Sequence, residues 1–193
     1  MGRNRVVRLQ ASKRPFRPRT ETQNLQKGSK LKRQLNGRQK IYEHLFEPIA
    51  KPEVVAAQQN WAQHVTEQDV ERLLGLYDLR TPGQPILFKP TFADVIRSDY
   101  AGVRSYFVGG DPNYPHDQGF LNRGWKQVEF RSAVGPVLNA GGLSFGDMGR
   151  YTFIDGDGNA TDAEYTFVYH KRDGRVLISL HHSSLKWSPS EAD

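Results

Sequence analysis

The stretch EYTFVYHKRDGRVLISLHHSS, residues 164–184, decides the fold. Two runs rich in β-branched and aromatic residues flank Arg172-Asp173-Gly174, and an Asp-Gly pair at such a junction closes a tight hairpin. The spacing predicts antiparallel strands over 162–171 and 175–185. Working back along the chain, 142–154 and 125–134 read as further strands, separated by Gly, Asn and Asp clusters such as DGDGN (155–159). Before residue 110 the period changes. Val54, Ala57, Trp61 and Val65 recur at helical spacing and form one apolar stripe. Thr66, followed by acids, is expected to cap a second helix with Val70, Leu73, Leu74 and Tyr77 on one face. The turn TPGQP (81–85) leads to a short strand at Ile86, Leu87 and Phe88, ended by Pro90; a third helix around Tyr100–Phe107 stops at Gly109-Gly110. Helices followed by an antiparallel meander give an α+β fold with a helix packed on one face of a curved sheet.

The 193 residues carry 27 Lys+Arg, 21 Asp+Glu and a net charge of +6. That charge is unevenly placed. Residues 1–40 hold 13 basic groups and one acid, Glu21, for +12; the remainder holds 14 basic and 20 acidic groups, for −6. The basic tail is too poor in apolar residues to offset the entropy of ordering and is expected to be disordered. Residues 41–53 read as a connecting arm and 54–190 as the folded domain. Nucleic acid is therefore not the expected partner of the body. The absence of Cys excludes disulfide scaffolds, thiolate zinc sites, iron–sulfur clusters and cysteine nucleophiles. No run reaches the ~20 apolar residues of a membrane span, and no apolar signal region opens the chain. A soluble, intracellular protein is expected.

The last strand holds the chemistry. In VLISLHHSS (176–184), period two puts Val176, Ile178, Leu180, His182 and Ser184 on one face, which starts apolar and ends polar. His182 and Ser184 are thus expected at a pocket, with His181 and Ser183 pointing away. Adjacent strand histidines diverge, and His44, His64, His116 and His170 show no chelating spacing, so a protein-held zinc site is not expected. DGDGN lacks the terminal Glu of a calcium loop and reads as a hairpin turn. Gly109-Gly110 is not followed by a phosphate-loop Lys, and no nucleophile elbow is present.

From Trp61 to Pro189 the chain resembles the iota-class carbonic anhydrases, relatives of the association domain of calcium/calmodulin-dependent kinase II. The segments that carry the resemblance are ILFKPT (86–91), SYFVGG (105–110), the spacing of Pro115, Asp117, Gly119 and Phe120, then WKQVEF (125–130), MGRYTF (148–153), EYTFVY (164–169) and LHHSSLKWSP (180–189). The resemblance implies a cystatin-like cone, a curved antiparallel sheet wrapped around a long N-terminal helix, that hydrates carbon dioxide to bicarbonate. Members similar to the cyanobacterial and algal branch work without a metal, although others use manganese. There a Thr of KPT, a Tyr of SYF and the His and second Ser of HSS surround bicarbonate. The corresponding residues are Thr91, Tyr106, His182 and Ser184.

On that resemblance His182 is the expected proton acceptor, because an ordinary imidazole has a pKa of about 6.5. The hydroxyls of Thr91, Tyr106 and Ser184 would orient water and bind the developing anion. Tyr165 and Tyr169 are expected in the core. The alternatives are a non-catalytic association module of the same fold, and an isomerase or cyclase, for which only Glu164 and Glu129 offer a base. A homo-oligomer is expected. The tail reads as a docking segment for an acidic partner or a carbon-fixing assembly such as a carboxysome, as an organelle transit peptide, or as a polyanion binder.

Overall fold

In the computed structural model, residues 46–80, 85–139 and 141–187 are described. The tail, residues 41–45 of the arm, residues 81–84 of the TPGQP turn and residues 188–190 at the end of the expected domain lie outside them. Helix α1 spans Lys51–Glu67. Pro52 fits its first turn, where a backbone N–H has no helical partner, and the Glu53 carboxylate accepts from the Ala50 N–H at 2.9 Å. The expected stripe is buried, with Gln58 added: Val54, Ala57, Gln58, Trp61 and Val65 face inward. Thr66 does not cap the next helix. α1 runs past it, and its hydroxyl donates back to Gln63 O at 2.9 Å. Gln68 then turns left-handed (φ 56°), and Asp69 caps α2 (Val70–Leu74) by accepting from the Arg72 N–H at 3.1 Å.

Strand β1 (Leu87–Lys89) precedes α3 (Tyr100–Val108), which is capped by Asp99 and ends at Gly109 (φ 74°). A 3₁₀ turn at Phe120–Arg123 leads into β2 (Gln127–Ser132), β3 (Val137–Leu138), β4 (Ser144–Ile154), β5 (Ala160–Arg172) and β6 (Arg175–Leu185). The sheet order is β1-β6-β5-β4-β2, with β3 paired to β4. Among the named strands all pairings are antiparallel except one: β1 lies parallel to β6, with α3, the 3₁₀ turn and β2–β5 in the chain between them. α1 touches β2 at one end of the sheet and β6 near the other, which requires the sheet to curve around it without closing. Asp173 (φ 51°) and Gly174 (φ 71°) make the β5–β6 turn, both left-handed as a two-residue hairpin demands.

The core between helix and sheet is aromatic. Trp61 is 2% exposed and meets Phe130, Tyr151, Phe153, Phe167 and His181 at ring separations of 5.7–6.2 Å. Burying one indole contributes on the order of 5 kcal/mol as an upper bound. This one side chain therefore pins α1 against four strands. Tyr165 and Tyr169 are buried, as expected of core residues.

Candidate active site

Strand β6 brings the polar end of its sequence into the aromatic core, but on the opposite parity from the one period two predicts. The RDG turn pairs Arg172 with Arg175 and Tyr169 with Ile178. Continued without interruption, that register would set His182 opposite Tyr165 and Ser184 opposite Ala163. Instead the pairing slips between Val168 and Tyr169, so that Val168 meets Leu180, Phe167 meets His181 and Tyr165 meets Ser183. Ser179 is the extra residue of a β-bulge, and a bulge of one residue flips every side chain beyond it to the other face. His181 (1% exposed) and Ser183 (2%) are therefore inside. The expectation for His182 and Ser184 is corrected: both are exposed on the outer face, where they border a groove of about 670 Å³ with Met148, Arg150, Glu164 and Thr166. A bulge in a strand of alternating character leaves no mark that a single sequence discloses.

Thr91 and Tyr106 are placed with the interior pair. Thr91 Oγ1 lies 2.7 Å from Ser183 Oγ, and the Tyr151 hydroxyl bonds to both side chains. Tyr106 is buried, stacks on Phe120 (5.4 Å, 17°) and receives a hydrogen bond from the Phe92 backbone. A buried clamp joins the segments that carry the two positions. Arg97, whose backbone pairs with Phe88 on β1, donates to Asp117 at 2.8 Å, while the Ser105 hydroxyl, one residue before Tyr106, donates to the other oxygen of Asp117 at 2.6 Å. The guanidinium also covers the Tyr114 ring at 4.0 Å. Asp117 and the Ser of SYF thereby tie the residue next to Tyr106 to Arg97, and through its backbone to β1, the strand that leads to Thr91.

His181 is fixed by three neighbours. Trp61 Nε1–H donates to the Tyr77 oxygen at 2.8 Å, and that hydroxyl lies 2.9 Å from His181 Nδ1 with the two rings nearly coplanar (12°). Since the indole can only donate, the Tyr77 proton is free to go to Nδ1, which assigns Nδ1 as acceptor and leaves the ring proton on Nε2. Nε2 faces the Tyr151 hydroxyl at 3.4 Å. Burial, reinforced by the neighbouring His182, depresses the His181 pKa to about 3. The imidazole is neutral near pH 7 and cannot store a proton there. Burial likewise pushes the Tyr151 hydroxyl up to about 12, against the bonds from Ser183 and Thr91, and raises Tyr77 and Tyr106 well above the ordinary phenol value. The cluster around Thr91 and Ser183 is a set of neutral hydroxyls and one neutral imidazole.

A second buried polar group lies along α1. Asp147 Oδ2 accepts from Gln58 Nε2 (2.5 Å), Ser132 Oγ (2.6 Å) and the Tyr165 hydroxyl (2.9 Å). The sequence reading missed this interior carboxylate and named Glu129 and Glu164, which are instead paired on the surface with Arg131 (2.8 Å) and Arg150 (3.6 Å). Three donors on one oxygen make Asp147 an anchor that ties α1, β2 and β5 together.

The hydroxyl cluster does not fit zinc or manganese, because its single imidazole has both nitrogens engaged by tyrosines. Among the described residues, His64, Glu67 and Asp69 do bring ligand atoms within 4.8 Å of one another, but at the end of α1. Asp155 accepts from the backbone N–H of Asp157 and Asn159, both at 2.9 Å, so DGDGN is a self-bonded turn as expected.

Residues 52–185 match the family described as metal-independent carbonic anhydrase. A metal-independent carbonic anhydrase of Nostoc sp. is 37% identical over 107 residues, 53% of this chain and 51% of that protein, so the match spans about half the length of this curated relative. Among solved structures, a cyanobacterial iota-carbonic anhydrase complexed with bicarbonate is 31% identical, with a TM-score of 0.63 over 74% of this chain and 95% of that one. A protein from Xanthomonas campestris, described as a calcium/calmodulin-dependent protein kinase II association domain, is 26% identical, with a TM-score of 0.53 over 74% and 96%. The family match covers more than half of the chain and every element that builds the interior hydroxyl cluster, and the chain belongs to the metal-independent carbonic anhydrase family.

Proposed function

We propose that the protein is a carbonic anhydrase that hydrates carbon dioxide reversibly to bicarbonate without a metal, at the interior cluster of Thr91, Tyr106, Ser183, Tyr151 and His181. The observation that supports it most is the Thr91–Ser183 hydroxyl pair at 2.7 Å, in which either oxygen can donate. A hydroxyl accepts one proton while giving up another, so the pair can carry a proton without either oxygen becoming charged. In this mechanism a water oxygen bonds to the carbon of CO2 and one C=O electron pair moves onto oxygen. The water proton passes to Ser183 Oγ as the Ser183 proton passes to Thr91 Oγ1, and the Thr91 proton leaves to solvent water. Products are bicarbonate and one proton. Tyr151, supported by the fixed Nε2–H of His181, and Tyr106 donate to the oxygens that gain charge, a preorganised electrostatic contribution. The proton-acceptor role first expected of a histidine passes to the hydroxyls, because a buried imidazole with a pKa of about 3 has no tendency to charge.

The test is stopped-flow CO2 hydration with and without chelator. Hydration that survives chelation supports the reading; a wild type no faster than buffer overturns it and favours a non-catalytic association module. That second reading draws support from the exposed outer face around Met148 (62% exposed), which is suited to pairing of like chains and to the homo-oligomer expected from sequence. We place the basic tail, with its +12 charge, as the docking segment for an acidic partner or carbon-fixing assembly, in the cytoplasm or a carboxysome.

A further inference from the structure

Proton export needs an acceptor that the hydroxyl cluster does not hold. His181 is neutral and doubly engaged, the tyrosines are shifted upward, and the interior carboxylate, Asp147, takes its three hydrogen bonds on Oδ2 from Gln58, Ser132 and Tyr165, none of which belongs to the cluster. A cleft of about 240 Å³ meets the cluster at Tyr106 and is lined besides by buried Phe120, by Phe92 next to Thr91 in the chain, and by His116, Asp117, Gln118 and Arg123. Its acid is committed, since Asp117 is held by Arg97 and Ser105. Its cation, Arg123, lies over the Phe92 ring at 4.0 Å and carries no lone pair for a proton. His116 is the one imidazole lining this cleft, and it is exposed to solvent. Among the described residues the remaining histidines lie elsewhere: His64 beside Glu67, His170 against Asp78, His181 in the interior and His182 on the outer face. Because His116 adjoins Asp117, the clamp that bonds Asp117 to Arg97 and Ser105 also fixes the backbone of His116 at the cleft.

We infer that His116 is the proton-transfer residue of this site, taking the proton released during hydration from water in the cleft and passing it to buffer. The inference rests on the carbonic anhydrase reading. Imidazole is the side chain suited to both halves of that exchange near neutrality. In each turnover one proton adds to the ring nitrogen that bears the lone pair and is then lost to a buffer base, so the residue returns to its starting state.

The experiment is hydration kinetics of the full chain and of His116→Ala at low and high buffer concentration. At low buffer, kcat of the variant falls by about 10-fold or more, kcat/KM for CO2 is unchanged, and added imidazole restores kcat. A variant that matches wild type at low buffer overturns the proposal. So does a loss shared by kcat and kcat/KM that imidazole does not restore, which marks a structural role. A wild type without activity overturns the parent reading and this inference with it, whereas an active wild type with a buffer-insensitive variant overturns this inference alone.

Discussion

Trp61 Nε1–H sets the proton order of the interior by occupying the Tyr77 oxygen, which turns the Tyr77 proton toward His181. The bulge makes His181 and Ser183, not their neighbours, the residues that should matter. His181→Gln or Ser183→Ala is expected to lower kcat/KM by about 100-fold, the effect of removing one preorganised donor, while His182→Ala and Ser184→Ala stay within about 2-fold of wild type. Stopped-flow hydration checks this, and the reverse ranking would restore the unbroken-strand register. Stability should also follow the histidine. Its folded pKa of about 3 lies below the ordinary value of about 6.5, so the unfolded chain binds one more proton between those limits. The stabilisation is complete above pH 6.5 and is lost as pH falls through the window toward 3, at up to about 1.4 kcal/mol per pH unit. His170, also lowered first by burial, acts in the same sense. Urea unfolding between pH 7 and 4 should show a shallower slope in His181→Gln; an identical slope would refute the assignment.

At the scale of elements, β4 controls how tightly the sheet wraps α1. Gly149 stands between Ser132 on β2 and Tyr165 on β5, and a Cβ there would overlap the Arg131 carbonyl oxygen and the Ser132 Cα. Gly149→Ala should force β2 away and loosen the Ser132 and Tyr165 bonds to Asp147, at about 1–3 kcal/mol. Thermal unfolding followed by circular dichroism would register it as a fall in Tm of ~2–4 °C per kcal/mol for a chain of this size. An unchanged Tm would mean that β2 yields without loss. The hairpins of this sheet were legible because their turns are local: Asp173-Gly174 and DGDGN carry their own chemistry. The parallel pairing of β1 with β6 was not, since its partners lie more than 90 residues apart and no nearby turn selects the edge.

For the whole molecule, charge and chemistry separate. The body carries −6 and holds every residue of the candidate site, while the first 40 residues carry +12. Deletion of residues 1–40 should leave hydration unchanged within about 2-fold and remove salt-sensitive co-sedimentation with an acidic carbon-fixing assembly, since exposed charge attraction is screened by salt. Retained co-sedimentation would assign docking to the folded body. Among the described residues no helix is long and apolar enough to cross a membrane.

The sequence by itself determined the order of helices and strands, the Asp173-Gly174 and DGDGN turns, the apolar stripe of the first helix and the family resemblance, because these follow from local backbone preference and from residue types at fixed spacing. The resemblance also named Thr91 and Tyr106, through the KPT and SYF motifs rather than through any strand register. Only the tertiary structure decided which histidine and which serine face inward, that the histidine is neutral, and that Asp147 lies inside. Each of these depends on what stands opposite a residue across the sheet, and one extra residue at Ser179 is enough to reverse it.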